Sequence, residues 1–112
     1  MKSMPKTFGC PVELSLELLG GKWKAVILAR LKDGPLRYGE IRRLIPQLSD
    51  KVLTERLADL QASGLVAPDG EERGRRYRLS ARGESLRPIL QALYDWGQAQ
   101  ASVLNVAIGQ RS

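Results

Sequence analysis

Residues 36–63 have the sequence LRYGEIRRLIPQLSDKVLTERLADLQAS, and this stretch decides the fold. Its apolar side chains recur at helical spacing in two segments, which predicts a short helix over residues 38–44 and a longer one over residues 49–63. Pro46 ends the first helix, and Ser49 is well placed to cap the second. Residues 45–48 form the turn between them, so the two helices are predicted to make a helix-turn-helix.

The longer of these helices is predicted to have one apolar and one polar face. Positions i, i+4 and i+7 share a face, which predicts burial of Leu53, Leu57 and Leu60. The opposite face is polar and lacks bulk, and it consists of Lys51, Thr54, Glu55 and Ala58. Periodicity leaves two interpretations of that face open, because a polar face of this kind can be exposed to solvent or can lie in a groove.

Two helices and a brief strand are predicted upstream of the helix-turn-helix. Residues 11–19 and 23–32 are the helices, with Pro11 at a helix start and Gly20-Gly21 as the break between them. Leu36–Arg37, after a turn signal at residues 33–35, is the brief strand.

Downstream, residues 65–68 and 76–79 are predicted as the strands of a hairpin whose tip is residues 69–75. Ser80 is placed to cap a final helix, which Pro88 either kinks or effectively starts. Together these elements predict a mainly α-helical fold with a small β-hairpin, the winged helix-turn-helix.

The length of 112 residues fits one domain. We expect this single domain to span residues 10–106, with a flexible tail at residues 1–9 and a second tail at residues 107–112. The longest apolar run, residues 25–29, is too short to cross a bilayer, and no apolar signal core follows the basic N-terminus. With a single Cys and hence no internal disulfide, the chain is expected to act in the cytoplasm and away from membranes.

The composition argues against an enzyme. The chain has no His, which removes the common general base, and one Cys without His cannot build a usual zinc site. No glycine-rich phosphate-binding loop is present. We therefore expect neither catalytic residues nor a metal site nor a cofactor.

The charge predicts a polyanionic partner. Lys and Arg number 18 against 12 Asp and Glu, and the net charge is +6. The excess is concentrated between residues 73 and 82, which contain no acid and five arginines: Arg73, Arg75, Arg76, Arg78 and Arg82. Two alternatives weaken this indication of a polyanionic partner. The arginines at the hairpin tip can serve only solubility, and Arg78 and Arg82 can pair with Glu84 or other acids.

Five sequence motifs together resemble the HxlR family of bacterial winged-helix transcriptional regulators, which are relatives of the MarR group. They are CPVE, GGKW, LRYGEIRR followed by LIP, LSDKVLTERL and YRLSARG. The resemblance covers about residues 10–97 and implies a homodimer on operator DNA, with the first and last helices pairing the subunits. The family often has a basic residue where this chain has Ala58, which cannot contact a phosphate or a guanine edge.

On this interpretation the helix over residues 49–63 enters the major groove of a pseudo-palindromic, double-stranded operator. Its expected contacts are Ser49, Lys51, Thr54 and Glu55, with Arg56 as a phosphate contact or an ion pair within the protein. The expected contacts of the neighbouring backbone and the wing are Arg37, Tyr38, Arg42, Arg43, Arg73, Arg75 and Arg76. Tyr38 is ambiguous between a phosphate contact and helix packing.

The expected dimer interface consists of Leu14, Leu18, Leu86, Ile89, Leu90, Leu93 and Trp96. An apolar cleft between the subunits is a candidate site for a small-molecule effector. The main alternative to sequence-specific DNA binding is a winged-helix module that binds another protein.

Cys10 is a candidate sensor of oxidants or electrophiles, because some relatives use a Cys at this position. It precedes a predicted helix start, where the helix dipole favours a thiolate, although the nearby Glu13 opposes this effect. With one Cys per chain, a disulfide has to form between subunits or with a small thiol, and alkylation by a quinone or aldehyde is another route. The alternative is a small buried hydrophobic residue at a helix start.

Overall fold

Six helices and three strands follow one another in residues 7–109, the part of the chain that the computed structural model describes. The helices are α1 (Pro11–Leu19), α2 (Gly21–Leu31), α3 (Tyr38–Leu44), α4 (Asp50–Ala62), α5 (Ala81–Glu84) and α6 (Arg87–Leu104). The strands are β1 (Leu36–Arg37), β2 (Val66–Asp69) and β3 (Arg76–Leu79). The predicted winged helix-turn-helix, mainly helical with a small sheet, is confirmed.

The second helix of the helix-turn-helix begins and ends where its capping residue and its terminal glycine predict. The Ser49 hydroxyl accepts a hydrogen bond from the Val52 N–H at 3.2 Å and so caps α4. At the other end of α4, Gly64 has φ +80°, a left-handed conformation that favours glycine and turns the chain into β2.

The sheet has three strands in the order β1-β3-β2, all antiparallel. Leu36 pairs with Tyr77 and Arg37 with Arg76, so the brief strand predicted at these two residues joins the hairpin. This long-range pairing was not predicted, because a two-residue strand carries no alternation that would identify its partner.

The core lies between α2, α3, α4 and the sheet, and α6 contributes one residue to it. The buried leucines of α4 are Leu53, Leu57 and Leu60, as the spacing predicts. The prediction for Leu90 was wrong: this residue, expected at a dimer interface, is 1% exposed and belongs to the core of the single chain. Its side chain points to the inner face of α6, whereas Leu93 and Trp96 lie on the outer face.

The C-terminal part of the fold differs in detail from the expected single helix. Ser80 accepts a hydrogen bond from the Gly83 N–H at 3.0 Å, but the helix that it caps, α5, ends at Glu84. Pro88 lies in the first turn of α6, where proline costs no backbone hydrogen bond, so it starts a helix and does not kink one. The helix α6 continues through Gly97 to Leu104, and Asn105 ends it with a φ of 57°.

Only parts of the predicted tails fall in the described residues. Residues 1–6 and 110–112 lie outside them, and residues 7–9 and 107–109 form neither helix nor strand. Within the described part of the chain, no helix combines the length and the apolar character needed to cross a membrane.

Candidate nucleic-acid interface

The polar face of α4 lies open on the surface of the protein. Lys51, Thr54, Glu55 and Ala58 are all exposed, while the leucines on the opposite side are buried against the core. A helix held from behind by its apolar face presents its outer side chains at fixed positions, as a helix in the major groove does.

Thr54 is linked by its side chain to α3. The Tyr38 hydroxyl lies 3.0 Å from Asp50 Oδ1 and 3.1 Å from the Asp50 carbonyl, and both of these oxygens can only accept. The Thr54 Oγ1 lies 3.3 Å from the same Tyr38 oxygen. Since the Tyr38 hydrogen is directed to Asp50, Thr54 is the donor in its contact with Tyr38.

Arg42 spans the turn of the helix-turn-helix. Its Nε donates to Asp50 Oδ1 at 2.7 Å, and its Nη1 donates to the Leu48 carbonyl. The hydrogen bond from Tyr38, followed by the hydrogen bond and the charge of Arg42, holds the pKa of the Asp50 carboxyl below its usual range. Arg42, expected at the DNA backbone, thus uses part of its guanidinium to position the start of α4.

Arg56 is held by carboxylates of its own helix. Its Nη2 lies 3.4 Å from Asp59 Oδ2 and 3.6 Å from Glu55 Oε1. Of the two roles expected for Arg56, this geometry provides the ion pair within the protein. It also offsets part of the charge of Glu55, the one acid on the outer face of α4.

The wing, residues 69–76, carries the cluster of free cations. Arg73, Arg75 and Arg76 are exposed, and no carboxylate of residues 7–109 lies within ion-pair distance of them. Gly70 and Gly74, with φ of +89° and +77°, allow the tight turn between β2 and β3. The tip also carries two exposed acids, Glu71 and Glu72, but neither forms an ion pair with these arginines.

The sheet adds Arg37 to this cluster, an association that the sequence pattern did not predict. Arg37 and Arg76 are directly opposite each other on β1 and β3, and Arg37 Nη2 approaches the Cα region of Gly74 in the wing. Like charges directly opposite each other destabilise a sheet, whereas Asp69, which is opposite Arg76 on β2, is a favourable neighbour. Arg43 and Lys51 are exposed as well, on α3 and α4.

Arg78 and Arg82 do not pair with Glu84, the acid considered for them. Arg78 donates to the Leu79 carbonyl at 3.2 Å, and Arg82 Nη1 donates to the Ser63 carbonyl at 2.6 Å. Glu84 instead binds Arg87, with 2.8 Å between Arg87 Nη2 and Glu84 Oε2.

Four of the residues expected at a dimer interface are exposed, namely Leu14, Ile89, Leu93 and Trp96. Leu18 and Leu86 are half-buried and pack against the core of the chain. The other large exposed hydrophobic residues of the described part also lie on α1, on α6 or just after α6: Val12, Leu16, Tyr94, Val103, Leu104, Val106 and Ile108.

Cys10 is exposed at the start of α1. The Glu13 carboxylate accepts hydrogen bonds from the backbone N–H groups of Gly9 at 2.6 Å and Cys10 at 3.1 Å. This carboxylate therefore caps the helix and lies beside the residue whose thiol was considered as a sensor. No group of three or more His, Cys, Asp or Glu in residues 7–109 is arranged to hold a metal ion.

Comparison with known proteins gives a matching sequence family and several relatives. The sequence model of the HxlR-like helix-turn-helix family matches residues 18–104. An uncharacterized HTH-type transcriptional regulator of Methanothermobacter thermautotrophicus is 43% identical over 97 residues, which cover 83% of this chain and 73% of that protein.

Two solved structures are similar to this chain in both fold and sequence. The redox regulator HypR in its reduced form has a TM-score of 0.77 and 33% identity, covering 86% of this chain and 98% of that chain. Quinone-bound YodB of B. subtilis has a TM-score of 0.67 and 34% identity, covering 80% of this chain and 99% of that chain.

Proposed function

The chain belongs to the HxlR-like helix-turn-helix family of transcriptional regulators, and we propose that it acts as a homodimer that binds a pseudo-palindromic DNA operator with sequence specificity. The observation that carries the proposal is the combination of an exposed polar face on α4 with exposed arginines on the wing that form no ion pair with a carboxylate of residues 7–109. In this assignment α4 contacts bases in the major groove and the wing contacts flanking phosphate or the minor groove.

Each contact on α4 follows from the chemistry of its side chain. Lys51 donates to a guanine or to a phosphate, Glu55 accepts from cytosine N4, and the Thr54 methyl meets a thymine methyl. We assign Ser49 and Arg43 to the phosphates that flank the groove. Arg42 and Arg56 act mainly through their contacts within the protein, at Asp50 and at Asp59 respectively.

The dimer is supported by the apolar surface of α1 and α6. Two copies joined there place their α4 helices in successive major grooves, about 34 Å apart. An operator for such a dimer is an inverted repeat with one helical turn between the centres of its half-sites.

The test is selection of binding sites from randomised duplex DNA with the reduced protein. Recovery of an inverted repeat with that spacing is the expected result. Thr54→Ala is expected to change the selected bases more than the total affinity, whereas Arg75→Ala is expected to lower affinity for all sequences. Recovery of no motif, with only salt-sensitive binding, contradicts the proposal.

The alternative, a winged-helix module that binds another protein, requires apolar side chains on the outer face of α4. That face has Lys51, Thr54, Glu55 and Ala58. The polar composition therefore favours DNA, and the same selection experiment separates the two functions.

We further propose that Cys10 makes DNA binding sensitive to electrophiles. Support comes from its exposure and from the similarity to the redox regulator HypR and to quinone-bound YodB. A quinone reacts by addition: the Cys10 sulfur forms a bond to a ring carbon and the thiol proton moves to one quinone oxygen. The hydrogen of that ring carbon then moves to the other oxygen, and the ring becomes a substituted hydroquinone. No other oxidant or leaving group is needed.

This second proposal is tested with the selected operator and p-benzoquinone. We expect treated wild-type protein to lose operator affinity and to gain the mass of one quinone per chain. Cys10→Ser is expected to bind DNA before and after treatment. Loss of binding by Cys10→Ser on treatment, or modified wild-type protein that binds normally, contradicts a sensor role for Cys10.

A further inference from the structure

The last two helices, α5 and α6, form an arm over residues 80–104 that leaves the winged-helix core after β3. Of the large hydrophobic side chains of this arm, only Leu90 is buried, and Leu86 packs half-buried against the core. Apolar packing therefore gives the arm few fixed points on the core. Its direction has to depend on polar contacts as well.

Arg82 of the arm binds the C-terminal end of α4. Its Nη1 donates to the Ser63 carbonyl at 2.6 Å, and Ser63 is the residue that ends this helix. The last carbonyls of a helix have no partner within the helix, and they favour a cation beside them. The last turn of α4 contains no basic residue, so the arm supplies the cation that this helix lacks.

Two further carbonyls at the same place accept from the start of the arm. The Ser80 Oγ donates to the Gly64 carbonyl at 2.6 Å, and the Ser80 N–H donates to the Leu65 carbonyl at 3.0 Å. A Cβ at Gly64 would lie 2.6 Å from Arg82 Nη1, and a Cβ at Gly83 would collide with the Leu65 carbonyl oxygen. With the contact of Arg82, three successive carbonyls after α4 are bound at a close approach that glycine allows.

Arg87 makes the same kind of contact at the end of α2. Its Nη1 donates to the carbonyl of Lys32, the residue that ends α2. Its Nε and Nη2 donate to the two carboxylate oxygens of Glu84, both at 2.9 Å, so Glu84 orients the guanidinium. Two arginines of one arm thus bind the terminal carbonyls of two core helices.

We propose that Arg82 and Arg87 are positioning residues that fix the direction of the arm relative to α4. The inference rests on the proposed function, because two copies joined through their arms place their α4 helices at a separation that depends on this direction. Neither guanidinium is assigned a contact with DNA. Loss of both contacts is expected to leave the buried core intact and to lower the discrimination between half-site spacings.

The first measurement uses the full chain without DNA. Residual dipolar couplings of the N–H groups in ¹⁵N-labelled protein report the angle between α4 and α6. In the wild type, both helices are expected to fit one alignment tensor. The double variant Arg82→Met, Arg87→Met keeps long side chains but removes every donor, and its α6 is expected to show reduced couplings or to require a second tensor.

Three kinds of variant serve as controls. Arg82→Lys combined with Arg87→Lys keeps a charged donor at each position and is expected to restore most of the wild-type behaviour. Arg78→Met removes an exposed guanidinium that donates to Leu79 of its own strand, and it should behave as the wild type. The single variants Arg82→Met and Arg87→Met decide the question if the double variant does not fold.

The second measurement compares the selected operator with a version that has one base pair inserted between its half-sites. The wild type is expected to prefer the native spacing by about tenfold or more, and the double Met variant by about threefold or less. The slope of log affinity against log salt concentration should stay unchanged, because no phosphate contact is lost. A loss of folded protein alone would lower the affinity for both operators equally.

A double Met variant whose α4 and α6 still fit one tensor at the wild-type angle overturns the proposal, and so does an unchanged spacing preference. A lower salt slope would assign the two arginines to phosphate contacts and overturn their positioning role. The same loss of spacing preference in Arg78→Met would do so too, since it would reflect charge alone. Wild-type protein that selects no operator refutes the proposed function, whereas the dipolar couplings still decide whether the two arginines fix the arm.

Discussion

The hydroxyl groups of Thr54 and Tyr38 lie 3.3 Å apart on the surface proposed to contact DNA. Because Tyr38 donates to Asp50, Thr54 donates to Tyr38 and keeps its own lone pairs facing outward. Thr54 is then an acceptor toward DNA, which favours the amino groups of adenine or cytosine over carbonyl oxygens. Tyr38 thus determines the hydrogen-bond polarity of a neighbour without itself touching a base.

We predict that Tyr38→Phe lowers discrimination at the base pair that Thr54 contacts. Without the phenolic oxygen, the Thr54 hydroxyl rotates freely and can donate or accept. Loss of one neutral hydrogen bond corresponds to a change of about two- to tenfold. Competition assays with operators that differ at single base pairs measure the effect.

A double-mutant cycle provides the control for this prediction. If Tyr38 acts through Thr54, then Tyr38→Phe has little further effect on base preference in a Thr54→Ala background. An equal effect in both backgrounds would assign Tyr38 to a separate role, such as a phosphate contact.

Asp50 makes the start of α4 sensitive to acid. Hydrogen bonds from Tyr38 and Arg42 lower its pKa, so the folded state binds this proton less readily than the unfolded state does. Stability from this carboxylate is complete above the unfolded pKa of about 3.9 and is lost as the pH falls through the lower folded value.

We predict that Asp50→Asn is less stable than the wild type at pH 7 and that this difference shrinks as the pH falls below about 4. Urea unfolding at a series of pH values measures it. Glu71→Gln, which changes an exposed acid of the wing turn, is the matched control and should show no such convergence. A wild-type advantage that stays constant down to pH 2 would contradict the role of the ionised carboxylate.

At the scale of the element, the wing combines three exposed arginines, Arg73, Arg75 and Arg76, with two exposed acids, Glu71 and Glu72. β3 aligns Arg76 with Arg37 on one side and with Asp69 on the other. The pair of arginines destabilises the sheet, Asp69 offsets part of that effect, and a bound phosphate would offset more of it.

We predict that replacing both Arg75 and Arg76 with Ala weakens binding to all DNA sequences. The slope of log affinity against log salt concentration should fall by up to about 1 for each lost phosphate contact. Titrations at several salt concentrations measure the slope, and Arg30→Ala serves as the control cation outside the wing. An unchanged slope removes these two residues from the DNA contacts.

Local and long-range elements differ in how well the sequence predicts them. The helix α4 is encoded locally, by the Ser49 cap, the leucine spacing and Gly64, and its prediction is confirmed. The pairing of β1 with β3 and the contacts of Arg42 with Asp50 depend on how separate elements pack, and no spacing rule encodes them. Leu90 was misplaced for the same reason, because the stripe on α6 is wide enough to serve both the core and the outer surface.

At the scale of the whole molecule, the apolar surface is distributed unevenly. α2, α3 and α4 bury their large hydrophobic residues, whereas α1 buries none and α6 buries only Leu90. The radius of gyration is 14.7 Å, against about 13 Å for a compact domain of this length. An extended pair of helices with exposed apolar faces is the surface that a second copy of the chain would cover.

We predict that Leu93→Asp and Trp96→Asp each convert the protein to a monomer that retains its fold. These side chains are 49% and 66% exposed in the single chain, so the core loses little, while an interface would bury an unpaired charge. Light scattering after gel filtration gives the mass, and far-UV circular dichroism checks the helix content. Gln98→Asp adds the same charge to α6 on the side away from Trp96 and is expected to remain a dimer.

The consequence for DNA binding follows from the geometry of two half-sites. A monomer positions one α4 only, so its affinity for the full operator should fall to the affinity for an isolated half-site. Linking two binding events raises affinity by roughly 10²-fold or more, and the monomer should lose that gain. Monomers that still bind the full operator like the wild type would show that the two half-sites are not linked through α6. Variants that remain dimeric would instead assign the subunit contact to α1 or to residues 103–108, which expose Val103, Leu104, Val106 and Ile108.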